Sequence, residues 1–319
     1  MMTSISRRAA IAAALSAAGP AGVSGEVIAR ELGISRVAVG KHIGALREAG
    51  YAIESVPRAG YRLLEAPDAC IPEEVGPRLT HPLWVACEGG PETASTNDDA
   101  KRLARAGAAE GTVVVAGRQT GGKGRFGRTW TSPPGGVYAS AVLRPPLAPS
   151  ALGPLALVAA LAVARALERF GVSAQLKWPN DVMAGGGKIA GILVEMAAEA
   201  DSVEWLVAGI GVDVADPGTD GASWVRRYYA DVGVADVAAA VLDELAAAYT
   251  GFTADGFPAV AEEYRQRGML WGADVVVRDA AGGVVADGVA ETVDNTGALV
   301  VSGADGRRVV VAGEVTLRG

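Results

Sequence analysis

Residues 117–130, GRQTGGKGRFGRTW, pack five glycines and four cationic side chains into fourteen positions, and TSPPGG follows at once. No other stretch limits the fold as sharply. Gly117-x₄-Gly122-Lys123 begins like a P-loop, but Gly124 stands where the magnesium-binding hydroxyl belongs. Gly122-x-Gly124-x-x-Gly127 spells the dinucleotide fingerprint, which requires a helix directly behind it to carry the pyrophosphate. Pro133-Pro134-Gly135 cannot continue a helix. Both strand–loop–helix assignments therefore fail on context. What survives is an irregular loop whose backbone N–H groups can converge on oxygen atoms. Lys123, Arg125 and Arg128 add charge, and the arginines can grip phosphate bidentately. Three repelling cations on a glycine-rich backbone are costly to order, so the loop is expected to settle on an anionic ligand. The plainer alternative is a solvated basic hairpin.

The 319 residues leave room for about two or three domains. The net charge of −7 is unevenly spread: residues 1–65 carry eight Lys/Arg against five Asp/Glu, and the remainder is acidic. Any nucleic-acid contact is thus expected at the N-terminus. There, Arg8 to Ala17 reads as a first helix, Ser24 caps a second that stops at Gly33, and Ser35 caps a third ending at Gly50. Val39, Ile43 and Leu46 face inward on the third helix, leaving Arg36, Lys41 and Arg47 outside. YAIESV and GYRLLE then flank Pro57–Gly60 as a wing. A winged helix-turn-helix sets its third helix in the major groove, so Ser35, Arg36, Lys41, His42 and Arg58 are candidate DNA contacts. A helical dimerisation domain is the bland alternative.

Cys70 and Cys87 suit neither a disulfide framework nor a zinc site and read as reduced thiols of a cytoplasmic protein. The twin arginines Arg7-Arg8 resemble an export signal, but only Ile11 and Leu15 interrupt the alanines behind them. No membrane span is expected, because the most apolar run, Leu152 to Leu167, carries Arg165 and reads as a buried helix. Strand-like HPLWVACEG and GTVVVAGRQ bracket a helix opening at Ser95-Thr96-Asn97, where a hydroxyl caps the first turn. VYASAVL, QLKWPND, KIAGILVEM and VEWLVAGIGVDV supply further strands, the last two antiparallel. This predicts an α+β mixed sheet covered by helices on one side. The final fifty residues alternate between glycine turns as a small β barrel.

Taken together, SRVAVGKHIGALREAGY, STN, RQTGGKGRFGRTW, KWPND, KIAGILVE and GEVTLR resemble biotin–protein ligases over nearly the full length, and in particular the bifunctional type that represses biotin-synthesis genes. The resemblance implies a winged helix-turn-helix DNA-binding domain at 1–64, a linker at 65–72, a class II synthetase-like catalytic domain at 73–268 and an SH3-like domain at 269–319. It implies biotin and ATP as substrates, Mg2+, a biotin carboxyl carrier domain and operator DNA as partners, and homodimerisation on adenylate binding. Ser95, Thr96, Asn97 and Gln119 then face the biotin ring, and Lys123-Gly124-Arg125 wrap its carboxylate. Lys188 becomes the chief electrophilic helper beside Arg125, and Gly191 permits close backbone approach. Arg128, Trp130, Asn180 and Asp181 fall to the adenylate, with Asp181 on the magnesium side.

Chemistry agrees with that assignment. Biotin's carboxylate is already ionised, so attack on a phosphate needs no general base, and His42 and His81 lie outside the motifs. What must be overcome is repulsion between two anions, which fixed cations and N–H groups do best. Two positions depart from the family: Lys123 replaces an arginine common among relatives, and the Gly-x-Gly-x-Asn run ends in Asp213. A buried acid there needs a partner. The alternatives are a non-catalytic biotin-sensing regulator and a lipoate- or octanoate-type ligase.

Overall fold

The structure, a computed structural model, describes residues 7–57, 59–199 and 201–318. Helices α1 (Arg7–Ala18), α2 (Gly25–Leu32) and α3 (Arg36–Glu48) build the head. Ser24 Oγ accepts from Val27 N at 3.2 Å and Ser35 Oγ from Ala38 N at 3.1 Å, so each hydroxyl satisfies one orphan donor of its helix. Gly33, at φ 62°, takes the left-handed turn between them, which any side chain would resist. Ile11, Leu15, Ile28, Val39, Ile43 and Leu46 close the core. Strands β1 (Ala52–Val56) and β2 (Gly60–Glu65) pair antiparallel as the wing. The sequence reading leaves Arg47 available outside, but the structure ties it down. Its guanidinium is 3.0 Å from both Ile53 O and Ser55 Oγ, tying α3 to the wing.

Residues 66–71 carry no helix or strand, yet they are docked. Ile71 belongs to the head's core and Cys70 to the central one. Beyond them, in α4 (Pro72–Val75), buried Glu73 meets Arg8 at 2.9 Å and Glu74 accepts from Tyr51 Oη.

The central domain runs β3 (Ala86–Thr93), α5 (Thr96–Arg105), β4 (Thr112–Gln119), β5 (Gly136–Leu143), α6 (Leu155–Glu168), β6 (Gln175–Lys177), β7 (Asp181–Ala184), β8 (Gly187–Glu199), β9 (Ser202–Asp213), α7 (Val234–Asp255) and α8 (Pro258–Arg267). Its seven-stranded sheet has the order β3-β4-β5-β9-β8-β7-β6, parallel only at β3–β4. Residues 81–85, read as strand from the sequence, instead form a turn closed by Trp84 N on His81 O at 3.1 Å.

The sheet is covered on both faces, not one. Val113 and Val115 point toward the main core with α6 and α7, while Val114 points oppositely, against Ala100 and Ala104 of α5. An unbroken apolar run such as TVVVA in β4 is what two covered faces require. Residues 149–168 are long and apolar enough to cross a membrane, but 72% of an 18-residue stretch within them is buried inside the protein. Packing, not length, makes this a core helix. Last come β10 (Asp274–Arg278), β11 (Val284–Val293), β12 (Leu299–Gly303), β13 (Gly306–Val310) and β14 (Glu314–Leu317), an antiparallel sheet of order β13-β12-β11-β10-β14. It is joined to the central domain by Trp178 Nε1, which donates to Gly297 O at 3.1 Å.

Candidate active site

A strand sends alternate residues to one face. On β9 that face carries Gly209, Gly211 and Asp213, and on neighbouring β8 it includes Gly191. A Cβ on Gly209 would stand 1.9 Å from Asn97 Oδ1, and one on Gly211 2.5 Å from Trp130 Nε1. One on Gly191 would meet the same indole at 3.0 Å. Bare backbone thus forms the floor of a cavity of about 310 Å³, and Trp130 lies against it. The Lys188 ammonium sits 5.0 Å from the Trp130 ring centroid, within cation–π reach, and 2.6 Å from Asp181 Oδ1.

At one end of the cavity, side chains are already hydrogen-bonded to each other. Gln119 Oε1 accepts from Thr96 N at 2.8 Å and from Thr96 Oγ1 at 3.1 Å, and its amide donates to Ser132. Asn97 Nδ2 donates to Glu195 at 2.9 Å, while Asn97 Oδ1 accepts from Ser140 at 2.6 Å. Ser95 Oγ caps α5, accepting from Asp98 N at 3.4 Å. This polar end is preorganised, which suits recognition of a neutral ring bearing both donors and acceptors.

The glycine loop crosses the opposite side. Gly124 N donates to Arg128 O at 2.7 Å and Trp130 N to Gly122 O at 2.9 Å, making a compact hairpin. Phe126, at φ 56°, holds a left-handed conformation at its tip. The repulsion expected among the cations is met by acceptors elsewhere in the chain. Lys123 reaches Asp98 at 2.5 Å. Arg125 Nη1 donates to Gly313 O at 3.0 Å and to Asn180 Oδ1 at 3.4 Å, and Arg128 pairs with Glu314. Burial draws the Arg125 guanidinium below its ordinary value, opposed by the nearby Asp181 charge. Asn180 also donates to Ile192 O at 2.8 Å.

Every cavity residue expected from the sequence, from Ser95 to Gly191, therefore gathers around one cavity. The head residues Ser35, Arg36, Lys41 and His42 lie apart on α3. Arg36 and Lys41 are exposed and, among the described residues, make no ion pair; His42 is half-buried. Arg58 lies outside the described residues.

Three contributors escaped the sequence reading. Residues 217–222 form one wall, held by Lys188 N on Gly221 O at 2.9 Å and Ser223 N on Lys188 O at 2.8 Å. The glycine run DPGTDG was the available signal. Glu314 and Val315 of the C-terminal sheet also line the cavity, a juxtaposition that no local pattern announces. Gly209 and Gly211 were visible as an alternating pair without a function attached. Buried Asp213 completes their face, and burial pushes its carboxyl up to about 7, with the Lys188 charge pulling the other way.

A mixed sheet whose glycine floor is bordered by cations makes an anion-binding site, and the chain matches known families around it. Residues 89–213 match the Biotin/lipoate A/B protein ligase family, residues 7–62 an HTH domain, and residues 272–318 the Biotin protein ligase C terminal domain. The Biotin--[acetyl-CoA-carboxylase] ligase of Paracoccus denitrificans is 36% identical over 239 residues, covering 71% of this chain and 98% of that protein. The Bifunctional ligase/repressor BirA of Bacillus subtilis is 42% identical over 202 residues, or 62% of this chain and 62% of the relative's own length. A solved biotin protein ligase from Aquifex aeolicus, in complex with biotin and ATP, superposes with a TM-score of 0.63 at 29% identity, over 73% of this chain and 98% of that one. The chain belongs to the biotin–protein ligase family, in the form that carries an N-terminal helix-turn-helix domain.

Proposed function

We propose that the chain is an ATP-dependent biotin–[biotin carboxyl-carrier protein] ligase and, through its head, a biotin-responsive repressor. One observation carries the ligase reading: Arg125, Arg128 and Lys188 border a single cavity floored by glycine backbone. Such a site is made for two anions brought close together. The polar end at Ser95, Thr96, Asn97 and Gln119 takes the ureido ring, which favours biotin over the apolar chains of lipoate or octanoate.

Biotin's carboxylate oxygen bonds to the α-phosphorus of ATP as the bond to pyrophosphate breaks. No proton moves in this step, so fixed positive charge is the main lever. Lys188 approaches the carboxylate and the bridging oxygen, Arg125 and Arg128 balance phosphate charge, and Trp130 offers a face to adenine. Asn180 holds the adenylate side of the loop through Arg125. Mg2+ takes one or two carboxylates and otherwise phosphate oxygens. Asp181, now paired with Lys188, would be the carboxylate that holds it once Lys188 is drawn to the substrate. The bound ion would offset phosphate charge. In the second step the neutral amine of a carrier lysine attacks the acyl carbon, AMP leaves and the amine loses a proton.

For the head, the exposed Arg36 and Lys41 on a capped recognition helix support operator binding. Adenylate formation would pair two heads in a homodimer, and the two free thiols suit a cytoplasmic setting. The test is direct. Purified protein with biotin, ATP and an apo carrier domain should release pyrophosphate and add one biotinyl group by mass spectrometry. Biotin binding without pyrophosphate release would favour the non-catalytic regulator instead. Failure of biotin plus ATP to alter gel-shift binding to a two-fold operator would remove the repressor half.

A further inference from the structure

Lys123 lines the cavity, and its ammonium is bound to Asp98 on the first turn of α5. Asp98 itself does not line the cavity. Its other oxygen binds Lys101 at 2.9 Å. Lys101 continues to Glu195 Oε1 at 2.8 Å, and Glu195 Oε2 accepts from Asn97 Nδ2 at 2.9 Å. A continuous line of charge-assisted bonds thus joins the loop's first cation to an amide in the cavity floor. It passes through Asp98, Lys101 and Glu195, none of which lines the cavity. Burial alone would raise the Asp98 carboxyl, yet the bonds from Lys123 and Lys101 outweigh it and hold the group below its ordinary value.

We propose that Lys123 is the clasp of the loop and not a ligand contact, and that Asp98, held by Lys101 and Glu195, is the positioning residue that receives it. The proposal rests on the ligase reading above. A fork that grips phosphate is unnecessary for a cation whose partner is one carboxylate oxygen on a helix, and a point charge suffices. Arg125 and Arg128 remain the loop's substrate-facing cations. Closing the clasp ties α5 to the loop, so biotin seated at the polar end is retained while the adenylate forms.

The clasp and the direct contact make opposite forecasts for Asp98→Asn. This change keeps shape and leaves the Lys123 charge in place. With the full-length protein, biotin dissociation is followed by stopped flow, and KM and kcat by pyrophosphate release. For a half-exposed ion pair the expected effect is about fivefold faster biotin loss and about fivefold higher KM, with kcat at saturating biotin little changed. Lys123→Met should give the same effect, the double variant no more than either single, and Asp98→Glu should restore most of the loss. The proposal is overturned if Asp98→Asn holds biotin as well as the parent while Lys123→Met does not, or if the two losses multiply. Melting temperatures of each variant separate loss of the clasp from loss of α5. If the unaltered protein itself releases no pyrophosphate with biotin and ATP, it is the ligase reading that fails, and the clasp with it. If that activity is present, the variants judge the clasp alone.

Discussion

Replacing Asp213 by asparagine should stabilise the catalytic domain at high pH and do so far less at low pH. The carboxyl is 5% exposed, shares the cavity face with Gly209 and Gly211, and accepts no side-chain hydrogen bond among the described residues. Burial lifts its pKa from 3.8 in the open chain to about 7, and Lys188 only partly offsets that. Between those values the unfolded chain has released the proton while the folded chain keeps it. Stability from this group is therefore complete below about 3.8 and is lost as the pH rises through about 7. One pH unit in that window is worth about 1.4 kcal/mol, so the loss between pH 5 and pH 8 is on the order of 3 kcal/mol. Asparagine has the same shape and no proton to release. Urea unfolding of both proteins, followed by tryptophan fluorescence at pH 5 and pH 8, should show the variant's advantage growing by about that amount. Parallel stability profiles across the two pH values would refute the reasoning. A lower KM for ATP in the variant would follow from the same cause, since an ionised Asp213 opposes phosphates.

Lys188→Ala should lower the rate of pyrophosphate release by about two to three orders of magnitude while leaving the melting temperature nearly unchanged, as expected for a preorganised charge aimed at a transition state. Gly211→Ala places a methyl 2.5 Å from Trp130 Nε1, so the indole must leave the floor; KM for ATP should rise at least tenfold and the tryptophan emission should shift. Gly209→Ala drives into Asn97 Oδ1 at 1.9 Å and should raise KM for biotin instead. In the head, Arg36→Ala and Lys41→Ala should each reduce the salt dependence of operator binding by about one unit in log–log slope, readable by titration at several salt concentrations.

Local physics was legible in the sequence. The caps at Ser24, Ser35 and Ser95 bond to the third residue on, because a cap and its helix are written side by side. The glycine loop announced itself by what it could not be. Partners distant in the chain were not legible: Lys123 with Asp98, Arg128 with Glu314 and Arg47 with the wing are set by tertiary packing. Helix α7, rich in alanine and buried along most of its length, has only a narrow polar stripe at Asp236, Asp243, Glu244 and Thr250 to mark its period, and it went unread. The second covered face of the sheet was written in β4 but needed α5 to be recognised as its lid.

The bond between Arg125 and Gly313 spans 188 residues. Synthesis proceeds from the N-terminus, so a ribosome exposes the arginine long before the carbonyl that steadies it exists. A chain synthesised as far as the end of β9 has the binding floor and the loop but lacks this brace. The loop is thereby steadied only once the C-terminal sheet has been made.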